Sequence, residues 1–160
     1  MEHSGNDHVL SAGKLSEFKK QQGTMAKESE DKYHQIKNCR FCYDTIKNKI
    51  IAELGTVVAI EDNYPVAKGH MLIIPKNHNA TYFELSAAEK RDSDSLISEL
   101  RRKILAEDPS VTGFNIGVNC GESAGQTIFH THIHFIPRRD GDTPHPKGGI
   151  RGVIPDRMGY

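Results

Sequence analysis

The sequence predicts an α+β domain with a mainly antiparallel sheet. Two observations support this class: several strand-like segments follow one another along the chain, and one long helix-like segment is inserted among them. The chain of 160 residues is long enough for one domain with a proper core and too short for two ordinary ones.

Four segments have the character of strands. Residues 56–61 (TVVAIE) are β-branched and end at a turn, and residues 70–75 (HMLIIP) form an apolar run bounded by Lys68-Gly69 and a proline. Residues 113–119 (GFNIGVN) alternate large and small side chains, and residues 129–137 alternate histidine with Thr131, Ile133 and Phe135. Each is predicted to be a strand.

One long helix is predicted between the second and third strands. Ser86 and Glu89 have the spacing of a capping box, and Asp108-Pro109 ends the helix. The helical apolar stripe consists of Leu96, Ile97, Leu100 and Ile104. A second, short helix is predicted within residues 41–50.

The composition along the chain indicates how the protein is divided and which partners and location to expect. Residues 1–36 are polar and are predicted to be a partly disordered extension, residues 37–139 the compact domain, and residues 140–160 a tail rich in Gly, Pro and Arg. Lys plus Arg equals Asp plus Glu, 21 each, which argues against nucleic acid and membrane as partners. Three cysteines, no bilayer-length apolar run and no secretory signal predict a cytoplasmic protein.

Three histidines alternate in the last predicted strand. Alternate residues of a strand share a face, so His130, His132 and His134 are expected on one face and the apolar residues between them on the other. The alternative is a histidine-rich surface strand, but a solvent-exposed strand face more commonly carries Thr, Lys or Glu. The three positions span roughly 13 Å, too far for one tetrahedral metal to gather easily, so separate roles for the three imidazoles are favoured.

The histidine segment and two others resemble one known family. GQTIFHTHIHFIPR (125–138), EDNYPVAKGHMLIIPKNH (61–78) and GVNCGESAGQT (117–127) resemble, in the same order, the histidine triad (HIT) family of nucleotide hydrolases and transferases. Thr131 departs from the usual apolar residue. The resemblance covers most of residues 38–139. It implies a HIT-like fold, with a five-stranded mainly antiparallel sheet and one long and one or two short helices, and it implies a homodimer.

The resemblance also implies catalytic roles. His132 would be the nucleophile that attacks the α-phosphate of a nucleotide or dinucleotide and forms a covalent nucleotidyl-histidine. A main-chain carbonyl of the same strand is expected to fix its tautomer. His134 would contact the attacked phosphate, and His70 would lie beside that phosphate.

Substrate-binding residues follow in the same way. The glycine-rich loop 121–127 is expected to hold phosphate through backbone N–H groups, with Ile60 and the residues around Phe41 lining a base pocket. The resemblance places Asp62 on the ribose hydroxyls. The expected phosphate-binding residues are Asn119, Gly125, Gln126 and Thr127.

The pair Cys39-x-x-Cys42 suggests a metal site. Alone it is ambiguous between a metal half-site, a redox motif and chance, although no thioredoxin-like context surrounds it. His78 and His130 could complete a Cys₂His₂ tetrahedron, a ligand pattern found in some members of the family. We therefore expect a structural zinc on these four residues. A divalent cation could also accompany the nucleotide.

The tail favours one branch of the family and leaves others open. Residues 137–155 resemble the fragile-histidine-triad type of dinucleoside polyphosphate hydrolase, which suggests diadenosine tri- or tetraphosphate as substrate. The cations that could meet the distal phosphates, or merely be solvated, are Arg138, Arg139, Lys147, Arg151 and Arg157. A nucleoside phosphoramidase, a nucleotidyl transferase or phosphorylase, and a slow nucleotide-binding signalling module are the alternatives.

Overall fold

The sheet has five strands, all of them antiparallel to their neighbours. The computed structural model describes residues 32–160, and most of the predicted extension 1–36 therefore lies outside the described residues. The strands are β1 (Ile50–Leu54), β2 (Val57–Glu61), β3 (Met71–Pro75), β4 (Val111–Val118) and β5 (Ile133–Arg139). Their order in the sheet is β1-β2-β3-β5-β4, which leaves β1 and β4 at the edges.

One long helix covers one face of the sheet. The short helix α1 (Tyr43–Ile46) precedes β1, and the long helix α2 (Ala87–Glu107) connects β3 to β4. The capping box is present as predicted, because the Ser86 side chain accepts from the Glu89 backbone and the Glu89 side chain accepts from the Ser86 backbone. The helix ends at Asp108. The predicted α+β class, with one long helix and a mainly antiparallel sheet, is confirmed.

The two faces of the sheet carry two separate apolar clusters. On the helix face, Leu96 and Leu100 pack with Ile73 and Phe135, and the Phe135 ring stacks on Phe114 at 5.0 Å. The opposite face carries a smaller cluster of Ile46, Val58, Ile60, Leu72 and Ile74. The long helix does not cover this second face, which leaves room there for a cleft.

Two predicted boundaries were wrong. The predicted short helix 41–50 ends early, and strand β1 follows it as an edge strand with alternating half-buried and exposed residues. The predicted strand 129–137 begins at Ile133, so that His130 and His132 precede it. Backbone pairing stops here because Thr131 donates to the Asn79 carbonyl from both its backbone and its hydroxyl.

The carboxyl-terminal tail folds back against the edge strand β4. It contains two short 3₁₀ helices, Gly149–Val153 and Pro155–Arg157, and the first of them contacts β4. Within residues 32–160, no helix combines the length and the apolar character that a membrane span requires.

Candidate functional site

A cleft lies on the sheet face that the long helix leaves uncovered. Four residues on neighbouring strands are paired in a row across this face: Ile60 with Leu72, Leu72 with His134, and His134 with Gly117. Neighbouring strands lie roughly 4.8 Å apart, so the row spans roughly 14 Å. The cavity has a volume of about 270 Å³, and its walls include Arg40, Phe41, Ile60, Asp62, Asn63, Tyr64, Leu72, Asn119, Gly125, Thr127, Ile128, His132 and His134.

His132 is held with one ring nitrogen fixed and the other free. Its Nδ1 lies 2.8 Å from the His130 carbonyl oxygen. A carbonyl can only accept, so in the neutral ring Nδ1 carries the proton and Nε2 has the lone pair. Phe41 packs edge-on against the ring, with centroids 4.9 Å apart. The resulting imidazole is oriented and has an unprotonated nitrogen, as a nucleophile requires.

A contact with His70 fixes the tautomer of His134. The His70 Nδ1 accepts from the Val66 backbone N–H at 3.2 Å, so a neutral His70 carries its proton on Nε2. That Nε2 lies 2.9 Å from the His134 Nδ1 and donates to it. The His134 proton is therefore on Nε2. Desolvation by burial lowers the pKa of both rings below 6.5, which keeps them neutral at neutral pH.

His70 does not reach the cleft. Its side chain is buried behind His134 and is absent from the cavity wall, contrary to the expected position beside the phosphate. In this arrangement His70 contacts His134 and can set the orientation of that ring.

Asp62 lies at the junction between the cleft and this histidine pair. Its Oδ2 is 3.4 Å from the His70 Nε2 and 3.8 Å from the His134 Nδ1, and its Oδ1 accepts from the Tyr64 backbone N–H at 2.9 Å. The side chain also lines the cleft. Within this pair only the His70 Nε2–H faces the carboxylate as a donor, and the expected contact of Asp62 with ribose stays a prediction.

The glycine-rich loop 121–127 bonds mainly to itself. The Gln126 carboxamide oxygen accepts from the Gly121 backbone at 2.8 Å, and its nitrogen donates to the carbonyls of Ala80 and Ile128. Gln126 is buried and its amide is fully used. The structure therefore makes Gln126 an organiser of the loop, in place of the expected phosphate donor.

The cleft side of this loop offers fewer donors than expected. The backbone N–H groups of Ala124, Gly125 and Gln126 donate within the loop, so they do not point at a ligand. Gly125 adopts a φ of +86°, which favours glycine, and it lies close to the Asn119 carboxamide. The expected residues that do line the cleft here are Asn119, Gly125 and Thr127.

Arg138 lies outside this cleft. Its guanidinium donates to both carboxylate oxygens of Asp142 and to Asn115, which raises the pKa of Arg138. It lines a separate cavity near the start of the tail. The expected role of Arg138 in binding substrate is therefore not supported by its position, because its charge is already paired.

Four predicted metal ligands converge behind His132. The sulfur of Cys39 is 3.6 Å from the His130 Nδ1, and the sulfur of Cys42 is 3.5 Å from the His78 Nδ1 and 3.8 Å from the His130 Nδ1. All four ligand atoms lie within 4.8 Å of one another. Tetrahedral zinc bonds of about 2.0–2.3 Å place ligands about 3.3–3.8 Å apart. The cluster therefore fits a zinc ion.

The chemistry of the donor set also fits a metal. The His130 Nε2 donates to the Pro75 carbonyl at 2.9 Å, which leaves Nδ1 as the free lone pair facing the sulfurs. Burial lowers the pKa of His130 to about 4, so that ring is neutral. Burial raises the pKa of the Cys42 thiol to about 11, and a bound cation would supply the charge that its thiolate needs.

Several contacts that shape the site could not be predicted from the sequence. Tyr64 lines the cleft, although no signal along the chain marks it, whereas Arg40 lies there beside Phe41, as expected of the residues around that ring. Asn79 connects the site to the long helix, because its carbonyl holds Thr131 and its side chain donates to Glu89. These contacts join segments far apart in sequence.

Comparison with known proteins gives one consistent family. A model of the HIT domain matches residues 44–141. A HIT family protein from Bacillus anthracis has a TM-score of 0.60 at 37% identity, with 68% of this chain and 78% of that chain covered. A Zn-bound histidine triad family protein from Mycobacterium smegmatis has a TM-score of 0.59 at 27% identity, with 76% of this chain and 93% of that chain covered. Adenosine 5'-monophosphoramidase HNT1 from Candida albicans is 30% identical over 64% of this chain and 72% of its own length.

Proposed function

Because the chain belongs to the histidine triad (HIT) family, we propose that it is a hydrolase of dinucleoside polyphosphates that acts at the α-phosphate through a nucleotidyl-His132 intermediate. Family membership supports the coarser activity, cleavage of nucleotides by a hydrolase or phosphoramidase. The observation that carries the mechanism is the bond from the His132 Nδ1 to the His130 carbonyl, which leaves Nε2 unprotonated.

The cleft suggests how a nucleotide lies in it. Phe41 packs against the apolar cluster that contains Ile60 and Leu72, and a planar base fits this end. His134 lies one strand further along the row and His132 precedes it on the same segment, and the α-phosphate would sit beside these two rings. Asp62 lines the same cleft, and its carboxylate is proposed to accept from the ribose hydroxyls.

The first step transfers the nucleotidyl group to the enzyme. The His132 Nε2 lone pair forms a bond to the α-phosphorus, and the bond from that phosphorus to the bridging oxygen breaks. The leaving polyphosphate takes the bond's electron pair. The His134 Nε2–H donates a hydrogen bond to the phosphate oxygens or to the leaving oxygen as negative charge develops there.

The second step releases the nucleotide. A water oxygen attacks the α-phosphorus, the bond between phosphorus and the His132 Nε2 breaks, and a water proton passes to solvent. The products are a nucleoside monophosphate and the remaining nucleotide. The histidine returns to its starting tautomer because its proton stays on Nδ1, hydrogen-bonded to the His130 carbonyl, throughout.

A phosphoramidase is the second candidate. The relative from Candida albicans is named as an adenosine 5'-monophosphoramidase, and the His134 Nε2–H could protonate a leaving amine. The tail resemblance favours the dinucleotide. Phosphate in place of water in the second step would give a phosphorylase, and slow release would give a signalling module.

Turnover of both substrate types tests the proposal. Purified protein is assayed on diadenosine tetraphosphate and adenosine phosphoramidate, with and without inorganic phosphate. His132→Ala is expected to lower kcat/KM by about a thousandfold or more, whereas the exposed His145→Ala retains activity. Rapid acid-free quenching and mass spectrometry should detect one added nucleotidyl group on the wild type. The hydrolase proposal fails if diadenosine tetraphosphate is not cleaved above background.

The cysteine–histidine cluster is proposed to hold a structural zinc. Cys39, Cys42, His78 and His130 would be its ligands, and with four protein ligands the metal would have no open position for substrate. It would hold Phe41, which lies between the two cysteines, against His132.

A homodimer and a cytoplasmic location complete the proposal. The edge strand β4 carries a half-exposed Ile116, and such an edge is commonly covered by a partner. Light scattering coupled to size exclusion should give twice the 17.9 kDa chain mass. A monomer at micromolar concentration would contradict the dimer without affecting the chemistry.

A further inference from the structure

The tail is folded by one close turn. Gly148 has a φ of +92°, and a side chain there would collide with the Met158 carbonyl. The Arg151 guanidinium donates to the carbonyls of Met158 and Arg157, at 3.3 Å and 3.0 Å. These contacts bring the two ends of the tail together.

The turn gathers two cations on one aromatic ring. The Lys147 ammonium lies 4.7 Å and the Arg151 guanidinium carbon 5.3 Å from the centroid of the Tyr160 ring. Within the described part of the chain, neither cation forms an ion pair with a carboxylate. Two like charges held close together without a counterion favour an anionic ligand.

The tail segment that carries this cation pair packs on the catalytic row of the sheet through Ile150. A Cβ on Gly117 would lie 3.6 Å from the Ile150 Cδ1, so the tail packs directly on that glycine. Gly117 is the strand partner of His134, with backbones about 5 Å apart. Because Gly117 has no side chain, nothing from that position separates His134 from the tail.

The row also has a direction. The apolar end at Ile60 and Leu72 suits the base, and His134 marks the α-phosphate, so the phosphates beyond it continue toward Gly117 and the tail. We infer that residues 147–160 form a subsite for the leaving polyphosphate, with Lys147 and Arg151 binding phosphates beyond the α-phosphate. This inference rests on the proposed function.

Two cations at the end of the histidine strand do not suit this role. Arg138 is paired with Asp142, and Arg139 with Asp108, each at a distance below 3 Å. Their charges are already neutralised by protein carboxylates. Lys147 and Arg151 differ because the groups they contact are a ring and two carbonyls.

A binding measurement tests the subsite independently of turnover. In the His132→Ala background, isothermal calorimetry compares AMP with adenosine 5'-tetraphosphate. The double substitution Lys147→Ala/Arg151→Ala is expected to weaken tetraphosphate binding about 10- to 100-fold and to change AMP binding less than about twofold. Lys147→Gln alone keeps the Arg151 hydrogen bonds and should weaken tetraphosphate binding about threefold to tenfold.

The control has the same charge change elsewhere. Arg102→Ala/Lys103→Ala removes two exposed cations from the long helix, on the other side of the sheet, and should leave both affinities unchanged. The inference is overturned if the tail substitutions weaken AMP and tetraphosphate equally, if they weaken neither, or if the parent protein shows no preference for tetraphosphate. Failure of the proposed function would appear separately, as wild-type protein that binds the tetraphosphate preferentially but does not cleave dinucleotides.

Discussion

Removal of His70 should expose its role in fixing the tautomer of His134. In His70→Ala, the His134 Nδ1 loses its donor at 2.9 Å. The nearest remaining group is the Asp62 Oδ2 at 3.8 Å, which can only accept. His134 would then move its proton to Nδ1 and present a lone pair, in place of N–H, to the phosphate.

The expected loss follows from one hydrogen bond. Leaving a buried hydrogen-bonding group unsatisfied, or presenting a lone pair in place of an N–H to an anion, costs about 1–3 kcal/mol. At 1.36 kcal/mol per factor of ten, this is a loss of roughly 5- to 150-fold in kcat/KM. The loss is smaller than the thousandfold or more expected for His132→Ala, because His70 touches no reacting atom.

The matched variant is His70→Gln. The glutamine amide nitrogen reaches about as far as the histidine Nε2 and can donate to His134, so activity should return to within about threefold of wild type. Steady-state kinetics on diadenosine tetraphosphate, with thermal melting to confirm folding, measures both variants. The reasoning is refuted if His70→Ala is as damaging as His132→Ala, or if glutamine restores no more than alanine.

Three further predictions concern the metal, the core and pH. The protein should contain about one zinc per chain. Cys42→Ser should lose this zinc and lower the Tm by about 5–10 °C, because a metal present at a hundredfold above its Kd stabilises the folded protein by about 2.7 kcal/mol. The control Cys120→Ser should retain the zinc. Phe135→Ala should reduce the free energy of unfolding by about 3–5 kcal/mol in urea denaturation, because that side chain is fully buried, whereas Phe129→Ala should cost less than about 1 kcal/mol. Burial lowers the pKa of His134, so its ring stays neutral further into acid, and its imidazole signals followed by NMR should titrate with a midpoint below pH 6.5.

Each of these three predictions has an outcome that would contradict it. Zinc retained in Cys42→Ser, or lost equally in Cys120→Ser, would contradict the proposed ligand set. A similar loss of stability in both phenylalanine variants would mean that burial does not set the contribution of Phe135 to the free energy of unfolding. A titration midpoint above pH 6.5 for His134, with zinc content constant across the range, would show that a neighbouring charge outweighs burial at His134.

The elements whose signals are local could be predicted from the sequence. The capping box and the apolar stripe of the long helix lie within one segment, so they predicted that helix from Ser86 to Asp108. Four of the five strands were predicted, β2 and β3 because their apolar runs end at turns, and β4 and β5 from the alternation of their side chains. The candidate residues Cys39 and Cys42 stand at a metal-ligand spacing that is visible along the chain.

The environments of the three histidines depend largely on the folded chain. His130, His132 and His134 look alike in the sequence, yet the His130 Nδ1 faces the cysteines, the His132 Nε2 is left for the cleft, and the His134 Nδ1 is bonded to His70. The bond of His132 to the His130 carbonyl is local, and a main-chain carbonyl of that segment could be expected from the sequence. The partners of the other two rings lie 55 to 91 positions away, so no local pattern encodes them, because these hydrogen bonds form only when distant segments pack.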